Sequence, residues 1–300
     1  MNQAPLRIGL VGLDTSHAPA FAELLANPDN PHHVPGGQLV AAYPGGSDDF
    51  ELSYSRIADY TDKIRSYGAR IEDRIEAVAE ACDAVLLTSV DGRVHPQQFE
   101  RLARYGKPVF IDKPFAVSSR DAAQILRLAE EHGVPLMSCS SLRYAETFTE
   151  ALSDADDGEL TGIDSYGPLA LQPTQPGLYW YGIHTTELLF AALGAACVEV
   201  TAVREESHEL VVGRWADGRL GTLRGNRSGN NTFGALLHRT GGTRHVTIGG
   251  GKPYYASLLE SIMTLFRQGK ADVPLEQTAA IVRFIEAANE SRETGKPVRL

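Results

Sequence analysis

Over the first half of the chain, short unbroken apolar runs alternate with longer stretches of helical period. LRIGLVGL (6–13), QLVAAY (38–43), DAVLLTS (83–89), KPVFID (107–112) and PLMSCS (135–140) are brief and largely apolar. That is the pattern of parallel strands buried on both faces. Between them, APAFAELLAN (18–27), RIEAVAEAC (74–82), HPQQFERLARYG (95–106) and SRDAAQILRLAEEHG (119–133) place apolar residues at helical spacing. Ser118 or Ser119 supplies an N-cap for the last of these, and Gly133 a stop. Strand and helix in regular alternation predict a doubly wound parallel sheet. The Tyr-rich stretch from Asp49 to Gly68 is also helical in pattern but longer than an ordinary crossover.

Beyond Arg143 the rhythm changes. A helical pattern at about 144–154 leads into ELTGIDSYGPLAL, and another helix starts near Gly182. HELVVGRW and RLGTLRG flank Ala216, Asp217 and Gly218, whose Asp-Gly pair signals a hairpin. PYYASLLESIMTLFRQG and LEQTAAIVRFIEAANESRETG then return to helical period. The expected fold class is α/β: an N-terminal Rossmann-type doubly wound sheet over residues 1–141, then an α+β domain over 142–300. The latter carries a large, mostly antiparallel open sheet backed by helices.

Composition narrows the function. The chain has 300 residues, is 43% hydrophobic and has a net charge of -10. This is enough to bury two cores, and without basic runs the charge argues against nucleic acid and anionic membranes as partners. No apolar run approaches the length of a membrane span. Leu6 already opens an apolar strand, so no signal peptide is expected. Cys82, Cys139 and Cys197 form neither a disulfide framework nor a zinc pattern, which suits a reducing, cytoplasmic setting.

Four stretches together resemble the glucose–fructose oxidoreductase and inositol dehydrogenase (Gfo/Idh/MocA) family from about Arg7 to Leu300. VGLDTSHA stands at the family's glycine-rich turn. The run from Thr88 through His95 to GKPVFIDKP resembles its strand, helix and Glu-Lys-Pro segment, here Asp112-Lys113-Pro114. CSSLRYA resembles the exit from the nucleotide domain, and YGIHTTELLFAALG the Gly-x-His helix that places a histidine. The resemblance implies NAD or NADP as cofactor, a carbohydrate-like substrate, and a homodimer or larger assembly through the second sheet. It also implies that Gly12, Leu13, Thr15, Ser16, Thr88, Ser89, Lys113 and Pro114 contact the cofactor, and that a cis bond precedes Pro114. Three positions depart from the family pattern. Asp14 and His17 replace glycines, Tyr43-Pro44-Gly45-Gly46 stands where a ribose reader is expected, and Trp180 replaces an acid four residues before His184.

The chemistry of these residues supports roles for two of them. Lys113 follows a strand at the edge where doubly wound sheets bind ligands, and partial desolvation brings an amine toward useful proton exchange. His184, at a helix start after Gly182, has an imidazole suited to the same task. Glu187, one turn on, is placed to orient it. Arg143, Tyr144, Trp180 and Glu187 are the candidate substrate contacts, while Arg224 and Arg227 mark a sheet end that meets substrate, a second subunit or solvent.

Asp14 is expected at the entry of the first helix, capping its N–H groups. A phosphate would compete there: at about 5 Å and an effective dielectric near 20, the repulsion is roughly 3 kcal/mol, on the order of a hundredfold in affinity. The cost is tolerated if the carboxylate turns away and Thr15 and Ser16 serve the phosphate. Asp14, His17 and His95 form a weak metal pattern, and no metal is expected. The favoured reading is an NAD(P)-dependent oxidoreductase of a sugar, polyol or derivative, with Lys113 and His184 exchanging the proton. The alternatives are a cofactor-poor lyase, hydratase or hydrolase of sugar derivatives, or a non-catalytic ligand sensor.

Overall fold

The computed structural model describes residues 4–300. Its first elements in chain order are β1 (Leu6–Val11), α1 (His17–Ala26), β2 (Gly37–Tyr43), α2 (Glu51–Tyr54), α3 (Ile57–Ser66) and β3 (Arg70–Ile71). Next come α4 (Ile75–Ala81), β4 (Ala84–Leu87), α5 (His95–Ala103), β5 (Val109–Ile111), α6 (Ser119–His132) and β6 (Leu136–Met137). The strands form one sheet in the order β3-β2-β1-β4-β5-β6 with every pair parallel. The apolar runs are the central strands: Ile8, Leu10 and Val11, Ala84 to Leu87, and Val109 to Ile111 are all buried. Strand order reverses between β1 and β4, and the crevice outside the carboxyl ends there is where such sheets take ligands. The Asp49–Gly68 stretch is two helices rather than one, α2 and α3, broken at Ser55 and Arg56. Phe50 and Ser53 are buried and anchor the first of them.

The later elements are α7 (Glu146–Ser153), β7 (Leu160–Pro168), α8 (Gly182–Leu193), β8 (Cys197–Arg204), β9 (His208–Trp215) and β10 (Leu220–Asn226). They are followed by β11 (Gly234–Arg239), β12 (Thr243–Thr247), α9 (Tyr254–Gln268), α10 (Leu275–Thr294) and β13 (Val298–Arg299). The second sheet runs β12-β11-β7-β10-β9-β8-β13, antiparallel except for the parallel β7–β10 pair. The Asp-Gly hairpin joins β9 to β10: Gly218 sits at φ +91°, and Trp215 N–H donates to the Arg219 carbonyl at 2.9 Å. One face of this sheet is apolar. Val211 and Leu223 are buried there, as is Trp215, whose indole meets Phe190 of α8 and Phe284 of α10.

The contacts divide the chain into two compact units, but not by a single cut at 141/142. The first runs through Ala116 and includes Arg120–Cys139 and Tyr255–Leu275; the second holds Val117–Ser119, Ser140–Tyr254 and Glu276–Leu300. Helix α9 returns to the first unit because its buried stripe, including Ala256, Leu259, Met263 and Phe266, finds cover there. The Met263 methyl lies against Gly37 at the start of β2, and Arg267 donates to the Pro35 carbonyl at 3.2 Å. Among the described residues, no helix is long and apolar enough to cross a membrane.

Candidate functional site

The turn between β1 and α1 is shaped by one glycine. Gly12 has φ +91°, and a Cβ there would stand 2.3 Å from the Ser89 backbone nitrogen. No L side chain fits that approach. The Gly12 N–H donates to the Tyr43 carbonyl at 2.9 Å and the Leu13 N–H to the Pro44 carbonyl at 2.7 Å, so the loop after β2 continues the pairing past the strand. Thr88 closes the other side, its hydroxyl donating to the Gly12 carbonyl at 2.7 Å, while the Ser89 hydroxyl donates to Gln98 at 2.8 Å.

Asp14 does not cap α1, which corrects the sequence-based expectation. Fully buried, it accepts from the Val90 N–H at 2.9 Å and from the Ser53 hydroxyl at 2.6 Å. Burial pushes its carboxyl up, against the lowering effect of those hydrogen bonds. Ser53 in turn accepts from the Ser47 N–H, and the Ser47 hydroxyl reaches Asp91 at 2.7 Å. The acid therefore ties α2 and the loop after β4 to the turn. Thr15 is buried beside it, and Ser16, at the N-cap of α1, is exposed and makes no capping bond.

At the end of β5, Lys113 is buried and its bond to Pro114 is cis. Burial pushes its ammonium below the usual lysine range; the Asp112 carboxylate opposes that shift and the Arg56 guanidinium adds to it. Asp112 accepts from the Lys113 N–H through Oδ1 at 2.9 Å, and its Oδ2 lies 2.6 Å from His17 Nδ1. The His17 contact is a close approach lying off the line of an ideal hydrogen bond. Burial alone would raise the Asp112 carboxyl, but His17 and Lys113 outweigh it and hold the group below its ordinary value. His17 Nε2 meets the Tyr255 hydroxyl at 3.1 Å. His95 places Nδ1 3.0 Å from the Pro114 carbonyl and Nε2 2.8 Å from the Ser89 carbonyl. The two histidines thus serve as internal partners, and among the described residues no His, Cys, Asp and Glu group is arranged to hold a metal.

In the second unit, His184 lies in the first turn of α8, with Nδ1 2.7 Å from the Ser140 hydroxyl. Its ring meets Tyr181 and Phe233 edge-on, each at 5.6 Å. Glu187 does not orient it, contrary to expectation, because its carboxylate takes Arg143 Nε at 2.5 Å. Burial raises the Glu187 carboxyl and the Arg143 charge opposes this. Tyr144 is half-buried; Trp180 is buried, with its ring 6.1 Å from that of Tyr181. Arg227 is committed to Glu209 and to the carbonyls of Glu205 and Glu206, whereas Arg224 is exposed. The sequence reading missed Ser140, Asp112, Tyr255 and Arg56 as partners. Asp112 was legible as the neighbour of Lys113, but nothing local pointed to Tyr255.

Residues 6–139 match the model of an oxidoreductase family with an NAD-binding Rossmann fold, GFO_IDH_MocA. The inositol 2-dehydrogenase of Rhizobium meliloti (strain 1021) is 26% identical over 149 residues, 46% of this chain and 44% of that protein. The chain thus spans less than half the length of that relative. GenD2 from gentamicin A biosynthesis, solved in complex with NAD, superposes with a TM-score of 0.80 at 18% identity, covering 99% of this chain and 97% of that one. A myo-inositol dehydrogenase from Corynebacterium glutamicum ATCC 13032 superposes with a TM-score of 0.76 at 18% identity, covering 99% of both. Residues 6–139 thus match the Gfo/Idh/MocA oxidoreductase model, and the fold of those solved structures is shared along the whole chain.

Proposed function

From that match over residues 6–139 and the shared fold, we propose that the protein is an NAD(P)-dependent oxidoreductase of a sugar, polyol or related derivative, with Lys113 and His184 exchanging the substrate's proton. The observation that carries this reading is the state of Lys113. Its amine is buried at the ligand-binding edge of the sheet, and burial brings it toward the range where proton exchange near neutrality is efficient. His184, held through Nδ1 by Ser140, carries an imidazole suited to the same exchange.

The turn's donor set suits a dinucleotide. Asp14 spends both oxygens on Ser53 and Val90, and α1 begins at an exposed serine with no side-chain cap among the described residues. A helix start of this kind offers N–H donors and a positive field to a phosphate. Thr15 and Ser16 would hold the diphosphate, Gly12 and Leu13 the turn beneath it, and Thr88, Ser89 and Pro114 the nicotinamide side. When bound, the nicotinamide supplies hydride transfer. Lys113 holds or releases a proton at Nζ and His184 at its imidazole, and the burial of Lys113 shields its amine from water. The family match, to oxidoreductases, gives the lyase-type and sensor alternatives no support.

The test is turnover of inositols, polyols and sugars with NAD⁺ or NADP⁺, read as reduced nicotinamide, alongside calorimetric titration of each cofactor. Lys113→Ala and His184→Ala should each lower turnover by about 100-fold or more while the protein stays folded. Absence of binding by both cofactors would remove the redox reading and leave the fold assignment standing.

A further inference from the structure

His17 occupies the last glycine position of the turn, yet its side chain is spent inward. It lies between two groups that the sequence keeps far apart: Asp112 at the end of β5, 2.6 Å from Nδ1, and Tyr255 in the first turn of α9, 3.1 Å from Nε2. The imidazole is 6% exposed and is further fixed by edge contacts to the rings of Tyr255 at 4.9 Å and Phe21 at 6.1 Å. Asp112 holds the Lys113 N–H with its other oxygen at 2.9 Å. A line of four residues, Tyr255–His17–Asp112–Lys113, thus runs from α9 to the backbone N–H of the lysine that carries the candidate proton-exchanging amine, all within the first unit. The Asp112 carboxylate acts on that amine through its charge.

We propose that His17 is a positioning residue that governs the protonation of Lys113 through Asp112, with Tyr255 fixing the imidazole from behind. A buried carboxylate persists only where a cationic or donor partner compensates its desolvation. His17 is that partner from α1. Without it, burial at Asp112 is opposed chiefly by Lys113, the carboxyl is pushed up, and the negative charge that supports the Lys113 ammonium weakens. Burial of the lysine and the Arg56 guanidinium, both of which favour the neutral amine, then act with less opposition. The ionisable position in the turn therefore belongs to the lysine's surroundings rather than to the phosphate cradle.

The role in turnover rests on the oxidoreductase reading, but the coupling can be measured without substrate or cofactor. The experiment is competitive acetylation of the intact protein across a pH series, with the Lys113 peptide quantified by mass spectrometry. In His17→Ala the labelling midpoint of Lys113 should fall below that of the wild type, so that labelling below the wild-type midpoint rises several-fold. In His17→Asn, whose amide can still donate to Asp112 but carries no charge, the midpoint should lie between those of the wild type and His17→Ala. Tyr255→Phe leaves the His17–Asp112 pair intact and should move the midpoint less than His17→Ala. If His17→Ala labels like the wild type while folded, or if His17→Asn shifts as far as His17→Ala, the coupling is wrong. A shifted midpoint in a protein without nicotinamide-dependent turnover would instead keep the coupling and overturn the functional reading.

Discussion

Asp14 gives one oxygen to the Val90 N–H and the other to the Ser53 hydroxyl, so its removal has two opposed effects. Asp14→Gly relieves repulsion toward a phosphate but leaves two buried donors without an acceptor, at about 1–3 kcal/mol for each group left unsatisfied. Asp14→Asn keeps the shape and an acceptor for Val90 while removing the charge. We expect Asp14→Asn to unfold nearer to the wild type than Asp14→Gly, in urea melts of the two variants. The sign of the pH dependence follows from the raised carboxyl. Its folded pKa lies above the unfolded value of about 3.9, so the folded state holds the proton more tightly. The resulting penalty is absent below the unfolded pKa, enters as pH rises toward the folded pKa, and is full above it. The stability of Asp14→Asn relative to the wild type should therefore rise with pH across that window. A constant difference would mean that the carboxyl is not perturbed by burial. At this scale the sequence revealed that an acid stood in the turn but not where its charge went. That depended on Ser53, which reaches it only through the packing of α2.

Between elements, two side-chain links tie the 3-10 turn Ser141–Tyr144 and the residue before it to α8, and they differ in kind. Arg143–Glu187 is a buried ion pair, with side chains 10% and 4% exposed. Ser140–His184 is a single hydrogen bond between a serine hydroxyl and a half-buried ring. Arg143→Leu strands the Glu187 carboxylate and should cost about 3–5 kcal/mol of stability. Ser140→Ala also loses the cap on the Leu142 N–H and should cost only about 1 kcal/mol, while lowering turnover by loosening the imidazole. Chemical denaturation set beside initial rates separates the two, and an equal stability loss in both variants would refute the distinction. The elements themselves were unevenly legible. Strands β1, β4 and β5 declared themselves because both faces are buried, leaving no polar positions to blur the apolar run. Strand β12 did not, because Val246 is its one buried residue, and β13 is two residues long. Helix α9 was visible from its period, but its return to the first unit was not. A stripe of apolar residues states that cover is needed without stating which surface supplies it.

The whole molecule leaves one sheet face to be explained. In the second unit, α8 and α10 take up one side of the mixed sheet, while Val203 and Leu210, paired across β8 and β9, point to the other and are 59% and 36% exposed. Leu220 at the start of β10, opposite Arg214, is 52% exposed. Exposed apolar residues scattered singly need no explanation, but an exposed apolar pair across neighbouring strands marks a face that favours a partner. Like faces meet like in a two-fold pair, so a second copy of this sheet is the simplest cover. A stable pair of this kind buries about 800 Å² on each partner, an area a seven-stranded sheet can provide. We therefore expect a homodimer or larger assembly at micromolar concentration. Val203→Asp would place a carboxylate on that face directly across from the apolar Leu210, in a contact that buries it. Light scattering should then show the variant as single chains with an unchanged circular dichroism spectrum. A wild-type mass of one chain under the same conditions would leave the patch exposed and end the assembly argument. A variant that stays assembled would move the contact to another surface.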